Sequence, residues 1–258
     1  MECGIDKCCT PKKRKYKMNI TVIGSSSSGN GYIINTEKGS LLLECGMKLD
    51  KVEAALNYDL SKVVGLLITH EHGDHSAYID DYIKHFKVYA TVGTLTARNV
   101  IGHRNAKVLK YSKPFCIGDF KVMAFRTQHD AAEPCGFLIV LPNGEKLVFA
   151  TDTSRLFLRF SGISYWMVEC NYDKEILQEN VNNGSVNISL ARRIVKSHLG
   201  LSQLCKMIDV NDFTQTKMIL LIHLSNNNSN RNEFVSEIAR RTGKQVIAAK
   251  KGQKIELL

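Results

Sequence analysis

The amino-acid sequence predicts a mixed α/β fold in which two β-sheets pack together and helices cover their outer faces. Short apolar runs of strand length recur in both halves of the chain, and helical patterns accompany or follow them. A hydrophobic content of 44% over 258 residues is enough to bury a substantial core in one domain. Strands followed by helices in each half favour two packed sheets with helices outside.

In the first half, apolar runs predict strands at residues 20–23, 32–35, 41–43, 63–68 and 87–91. Helical spacing of apolar residues predicts helices at residues 51–57, 79–85 and 92–101. The segment GSSSSGNG at residues 24–31 is interpreted as a flexible loop after the first strand. It matches neither the P-loop nor the dinucleotide-binding pattern, so it indicates no ligand by itself.

In the second half, apolar runs predict strands at residues 120–125, 136–141, 146–150, 165–168 and 218–222. The turn sequence Pro142-Asn143-Gly144 predicts a hairpin between the second and third of these strands, because Asn-Gly favours tight hairpin turns. Longer helical patterns cover residues 189–196, 202–208 and 232–241.

The first 17 residues carry a large share of the net charge of +10. We expect a basic tail at residues 1–17 ahead of one domain at residues 18–258. A solvated tail is the simplest interpretation, and attraction to nucleic-acid phosphates is the functional alternative. The cationic residues of this segment are Lys7, Lys12, Lys13, Arg14, Lys15 and Lys17.

Nothing in the sequence predicts a membrane span or a secretion signal. No apolar run approaches the roughly 18 residues that a transmembrane helix needs, and the N-terminus lacks a hydrophobic signal segment. The eight cysteines are scattered, and reduced thiols are the default expectation for such a chain. We therefore expect a cytoplasmic protein without a membrane partner.

The most informative motif is His-Glu-His-Gly-Asp-His at residues 70–75, directly after a predicted strand. Imidazole nitrogen and carboxylate oxygen are ligands for zinc, and also for manganese or iron. Alternation along the turn would direct His70 and His72 to one metal, while Asp74 and His75 face a second. The spacing therefore predicts a two-metal site.

Further candidate ligands stand at the ends of predicted strands in the second half. His129 follows strand 120–125, Asp152 follows strand 146–150, and His223 follows strand 218–222. His198 also lies in a polar turn beside an apolar run. Each alone is as compatible with a structural histidine or aspartate as with a ligand, but together with the motif they favour one metal centre.

These residues resemble the metallo-β-lactamase superfamily, whose ligands come from successive loops at one edge of a four-layer αββα sandwich. The resemblance runs from residue 18 to the C-terminus and rests on residues 69–75, His129, residues 149–152 and residues 223–225. Within the superfamily the chain is similar to the YycJ/WalJ group, which includes phage-borne versions and is associated with nuclease activity. That similarity rests on residues 24–30, 128–134, 168–172, 197–199 and 222–228.

The resemblance implies a ligand set for two divalent ions, zinc or manganese, with iron as a further candidate. Metal one would take His70, His72 and His129; metal two would take Asp74, His75 and His223; and Asp152 would bridge them. The superfamily often has an aspartate at the end of an early strand, where this chain has Glu44. We expect Glu44 to brace the ligand loop.

The same resemblance implies a catalytic set. A hydroxide activated by two metals would attack the phosphorus, and His198 is the candidate to protonate the leaving oxygen, because neither metal requires it. Glu169 would orient His198 by accepting an imidazole N–H, and Asp74 completes the catalytic candidates. The simpler alternative is that His198 only caps a helix near the site.

Together these features predict a metal-dependent phosphodiesterase, and specifically a nuclease resembling a DNA exonuclease. The expected partner is nucleic acid, with DNA preferred over RNA. Hydrolysis of a small phosphodiester such as a cyclic nucleotide is the alternative, because it would use the same metals. A nucleic-acid-binding module without catalysis is the third possibility, and fold resemblance alone does not decide among them.

Overall fold

A computed structural model describes residues 17–156 and 158–257. Two seven-stranded sheets pack face to face in it, and helices cover both outer faces. The predicted four-layer αββα arrangement is therefore confirmed. The predicted basic tail, apart from Lys17, lies outside the described residues.

The described residues form fourteen strands. They are β1 (Met18–Ser26), β2 (Gly29–Thr36), β3 (Gly39–Leu43), β4 (Val63–Leu67), β5 (Val88–Ala90), β6 (Ala106–Val108), β7 (Phe115–Ile117), β8 (Phe120–Arg126), β9 (Cys135–Val140), β10 (Lys146–Ala150), β11 (Tyr165–Glu169), β12 (Met218–Ile222), β13 (Gln245–Ala248) and β14 (Lys254–Leu257).

The same residues form eight helices. They are α1 (Leu49–Ala55), α2 (Gly73–Ser76), α3 (Ile79–His85), α4 (Val92–Ala97), α5 (Lys174–Asn182), α6 (Ile188–Ser197), α7 (Leu201–Val210) and α8 (Arg231–Thr242).

The strand order brings the carboxyl ends of several strands to one edge of each sheet. The first sheet has the order β14-β1-β2-β3-β4-β5-β6, and β3 to β6 are parallel. The second has the order β13-β12-β11-β10-β9-β8-β7, and β10 to β13 are parallel. Residues that follow β4, β10, β11 and β12 can therefore converge on one site.

Alternating side chains of each strand serve two different core layers. In β11, Tyr165 and Met167 face the layer between the sheets, whereas Trp166 and Val168 pack against α7 and α8. The first sheet packs its outer face against α1, α3 and α4. This alternation is the expected consequence of the two-residue period of a strand.

Most predicted elements are present, and the hairpin between β9 and β10 is confirmed by its antiparallel pairing. The flexible loop predicted at residues 24–31 is wrong, because β1 continues to Ser26 and β2 begins at Gly29. Its glycines permit close packing: a Cβ on Gly24 would lie 2.5 Å from the Gly29 carbonyl oxygen. The helix predicted at residues 92–101 is shorter than predicted, because α4 ends at Ala97.

Candidate metal centre

The His70–His75 segment forms a short loop and the single turn of α2 directly after β4. His72 occupies the N-cap position of α2 with extended backbone. Ser76 closes the turn by donating its hydroxyl to the Glu71 carbonyl oxygen at 2.7 Å and to that of His72 at 3.0 Å. The turn is thus fixed by its own side chains.

The first group of candidate ligands is His70, His72 and His129, whose ligand atoms all lie within 4.8 Å of one another. His129 Nε2 lies 2.9 Å from His72 Nδ1. His129 Nδ1 donates to the Ser197 carbonyl oxygen at 3.0 Å, since a carbonyl can only accept. The Nε2 atom of His129 therefore keeps its lone pair for a metal.

A chain of hydrogen bonds also leaves the Nε2 atom of His70 unprotonated, as in His129. The Thr69 hydroxyl donates to Glu44 Oε1 at 2.6 Å and lies 2.9 Å from His70 Nδ1. With its proton committed to Glu44, Thr69 accepts from His70 Nδ1–H, which leaves Nε2 unprotonated. That Nε2 atom is buried and has no hydrogen-bond partner among the described residues, as a metal ligand would require.

The second group combines Asp74, His75, Asp152 and His223, again within 4.8 Å. Asp74 Oδ2 lies 3.2 Å from both His75 Nε2 and His223 Nε2. Asp152 Oδ2 lies 3.3 Å from His75 Nε2. These atoms converge on one point and offer nitrogen and oxygen donors in the mixture that divalent zinc and manganese accept.

Asp152 stands between the two groups. Its Oδ2 atom is also 3.7 Å from His129 Nε2 and 3.8 Å from His70 Nε2. Asp152 has φ 47° and His223 has φ 53°, in the left-handed region that is uncommon for residues other than glycine, although Asp and His enter it more often than most. Such a conformation costs about 1–3 kcal/mol and is held only by the surrounding structure. The sharp bends aim both side chains at the shared edge.

The protonation preferences fit a site that a metal would occupy. Burial would lower the pKa of His75, but the charge of Asp152 and hydrogen bonds with nearby carboxylates raise it well above its usual value. The pKa of His223 is raised well above its usual value by Asp152 and by hydrogen bonds with carboxylates. Burial likewise opposes ionisation of Asp152, but His223 and His75 lower its pKa well below the usual range. Divalent ions would replace these protons as the partners of the carboxylates.

His198 and Glu169 are brought together as predicted. His198 Nδ1 lies 2.8 Å from Glu169 Oε1, and Glu169 Oε2 accepts from the backbone N–H of Leu199 at 2.9 Å and of Thr153 at 3.2 Å. His198 also occupies the C-cap position of α6, as the simpler alternative expects. Burial opposes the imidazolium, yet the Glu169 charge raises the pKa of His198.

Glu169 and His198 also form a third potential ligand group with Asp152 and His223. His198 Nδ1 lies 3.8 Å from Asp152 Oδ2, and Glu169 Oε1 lies 2.9 Å from His223 Nδ1. Glu169 is therefore placed to orient a ligand histidine and His198 at once.

Three supporting residues have contacts that sequence patterns did not indicate. Thr69 holds His70, as described above. The buried Asn30 side-chain amide lies 3.3 Å from Asp74 Oδ2 and 3.1 Å from His75 Nε2. Gly46 lies so close to the ligand loop that a Cβ there would be 1.7 Å from the Asp74 carbonyl oxygen. Glu44 makes the bracing contact predicted for it, because its carboxylate also accepts from the Thr69 backbone N–H at 3.2 Å.

The candidate ligands open into a cavity of about 480 Å³, called here the metal cavity. Its lining includes His198 and Asn171, and also Leu190, Arg193 and Ile194 of α6. Arg193 Nε donates to Asp130 Oδ2 at 2.9 Å, which ties α6 to the residue following His129. The lining therefore combines ionisable and apolar side chains.

The fold and the site define the class of protein. The family model described as "Beta-lactamase superfamily domain" matches residues 41–224. The chain belongs to this superfamily, and it is a metal-dependent hydrolase.

Particular relatives within that class have names that specify a reaction. The exodeoxyribonuclease YycJ of Bacillus anthracis is 29% identical over 252 residues, which is 90% of each chain. The exodeoxyribonuclease WalJ of Streptococcus pneumoniae strain D39 is 27% identical over 239 residues, covering 86% of this chain and 85% of the relative. The crystal structure of YhfI from Bacillus subtilis, a metallo-β-lactamase fold protein, has a TM-score of 0.72 at 18% identity, covering 93% and 99% of the two chains.

These similarities agree with the predicted YycJ/WalJ resemblance. Among residues 17–156 and 158–257, no helix combines the length and apolar character needed to cross a bilayer.

Proposed function

We propose that the protein is a nuclease that hydrolyses phosphodiester bonds of DNA and removes nucleotides from a strand end. The observation that carries the proposal is the convergence of two ligand groups on Asp152 in one open cavity. Two metal positions a few ångströms apart suit a phosphodiester, whose single negative charge is shared by two non-bridging oxygens. The names of YycJ and WalJ favour DNA as the polymer.

The donor set fits two divalent ions, with His70, His72 and His129 for the first and Asp74, His75 and His223 for the second. Asp152 would bridge them. Zinc and manganese are the proposed ions, with iron as a further candidate, because all three accept imidazole and carboxylate ligands. When bound, such ions polarise the phosphate and lower the pKa of a coordinated water.

The residues of the chain itself supply orientation and proton transfer. Glu169 Oε1 accepts the Nδ1–H of His198, so Nε2 is the atom that exchanges a proton. His198 lines the metal cavity, where its Nε2 protonates the departing oxygen of the strand. Asp74 Oδ2 lies 3.2 Å from the Nε2 atoms of both His75 and His223, so Asp74 would act by holding the second metal together with these two imidazoles.

Hydrolysis of a small phosphodiester is the second candidate. It is favoured by the metal cavity itself, because about 480 Å³ accommodates a single nucleotide. The ligand groups would serve both reactions equally. The two functions therefore differ only in what binds beyond the cavity.

The decisive experiment incubates the purified full chain with end-labelled single- and double-stranded DNA, RNA and cyclic nucleotides, adding manganese or zinc. We expect stepwise shortening of DNA from an end, and activity that is lost with a chelator and restored by metal. Cleavage of cyclic nucleotides alone would contradict the nuclease proposal. Bound metal without hydrolysis of any phosphodiester would favour a binding module.

A further inference from the structure

A second cavity, of about 470 Å³, lies on the other side of the β1–β2 turn from the metal cavity. Two segments contribute to the walls of both cavities. In the turn, Ser27 lines the metal cavity, whereas Ser26 and Ser28 line the second cavity. In the loop after β12, Ser225 lines the metal cavity and Asn226 lines the second. The two cavities are therefore neighbours separated by thin loops.

The second cavity has a cationic wall. Arg231, Lys250 and Lys251 line it, and no acidic residue does. Among the described residues, none of these three cations forms an ion pair with a carboxylate. We call this site the basic cavity. Uncompensated positive charge in a concave site attracts anions and raises their local concentration.

Arg231 is held in place rather than free in solvent. It is half-buried, and its Nη1 donates to the Ala249 carbonyl oxygen at 2.8 Å. Burial lowers the pKa of its guanidinium, which indicates a cation that gains by meeting an anion. Ser26 and Ser28 also line the basic cavity, and their hydroxyl oxygens lie 2.8 Å apart. Arginine, lysine and hydroxyl donors together match the oxygens of a phosphate.

We infer that the basic cavity binds backbone phosphates of the nucleic-acid strand whose end lies in the metal cavity. The inference rests on the proposed function, because it takes the strand to be the substrate. The shared loops lead from one cavity to the other, so a strand passing the β1–β2 turn would meet the cations next. Contacts to phosphate carry no sequence information, so the site would hold any sequence.

The test compares K250Q/K251Q with a matched control, K110Q/K113Q, in the full chain. Both pairs are exposed lysines in connections between the two sheets. Lys250 and Lys251 join β13 to β14, whereas Lys110 and Lys113 lie between β6 and β7 at the opposite edges of the sheets. Each variant removes two positive charges from exposed side chains. The two variants differ in whether the lysines line the basic cavity.

Binding of a fluorescent 20-mer of single-stranded DNA is measured by anisotropy in a chelator, so that no cleavage occurs. We expect K250Q/K251Q to weaken binding by roughly tenfold at about 0.1 M salt and to reduce the salt slope by about 1.4, because each single-strand phosphate contact contributes about 0.7. The control pair should bind like the parent chain. Equal binding by K250Q/K251Q and the control would overturn the inference.

Strand length separates this inference from the proposed function. With metal added, the preference of K250Q/K251Q for a 20-mer over a dinucleotide should fall relative to the parent. If K250Q/K251Q lost activity equally on the 20-mer and on the dinucleotide, the basic cavity would be an isolated anion site. That result would overturn its assignment to the substrate strand. If the parent cleaves no nucleic acid while the variant loses binding in chelator, the proposed function fails but phosphate binding in the basic cavity stands.

Discussion

The two sheets build the metal centre in different ways. The first sheet supplies four proposed ligands from within the six residues His70 to His75, in the loop and single helical turn that follow β4. The second sheet supplies single residues scattered over positions 129–223, each from a different connection. One half of the site can therefore be recognised as a local sequence pattern. The other half comes together only because the fold brings distant residues to the same edge.

The difference extends to how each half is held. The contiguous set is supported by Asn30 of β2 and by Glu44 and Gly46 in the connection that follows β3. In the dispersed set, Asp152 and His223 have bent backbone with positive φ angles. Residues far along the chain also hold this set, because the Ser197 carbonyl oxygen accepts from His129 and Glu169 contacts His223. We expect changes in the dispersed set to remove chemistry directly. Changes around the contiguous set should act through packing and ligand orientation.

The largest expected effect comes from Asp152→Ala. Asp152 Oδ2 is within 3.8 Å of ligand atoms in both groups, so its loss should release metal from both positions. A metal contributes several kcal/mol to catalysis, so turnover should fall about a thousandfold or more. Elemental analysis of the purified protein measures the metal, with His85→Ala, an exposed histidine at the end of α3, as control. If Asp152→Ala retained two metals, Asp152 would not be the residue that bridges them.

His198→Ala should separate chemistry from metal binding. Loss of a general acid costs about 10²- to 10⁴-fold in turnover, while metal content should stay at the parent value. Elemental analysis and steady-state rates on the same preparation measure both quantities. Metal loss in this variant would show that the third ligand group, with Asp152, Glu169 and His223, binds an ion.

The ligand candidates could be predicted from sequence because they are chemically distinctive and follow apolar strands. His129, Asp152 and His223 each stand just beyond a strand that its apolar run reveals. Parallel strands then carry the last two to the same edge. Glu169 ends β11 at that edge. His198 follows helix α6 and was predicted from the family resemblance, as an imidazole that neither metal requires.

Several short elements and one supporting residue have no recognisable pattern in the sequence. The edge strands β6 and β7 have three residues each, too short for a visible period. Helix α5 reads KEILQENVN and buries only Leu177, so its apolar face is weak. Asn30 contacts Asp74, 44 positions away, and an isolated asparagine gives no local signal of such a role. These features depend on tertiary contacts.

A smaller effect tests the packing of the contiguous half. Gly46→Ala would place a Cβ 1.7 Å from the Asp74 carbonyl oxygen, so the ligand loop must move. We expect metal affinity to fall about 10- to 100-fold, the range for residues that orient ligands. Chelator competition measures it. The control is Gly73→Ala, one residue before Asp74, where a Cβ meets nothing within 4 Å; equal affinity losses in both variants would contradict the packing argument.

Thr69→Val should have the smallest effect, because valine keeps the shape of threonine and removes only its hydroxyl. The Glu44 carboxylate loses its donor at 2.6 Å, and His70 Nδ1 loses its partner at 2.9 Å. His70 can then carry its proton on Nε2, which competes with metal. We expect about tenfold weaker metal binding, at the low end for such supporting contacts. Thr69→Ser keeps the hydroxyl and should retain affinity in the same chelator competition; equal losses in both variants would mean that the methyl contact, and not the Glu44–Thr69–His70 chain, orients the ligand.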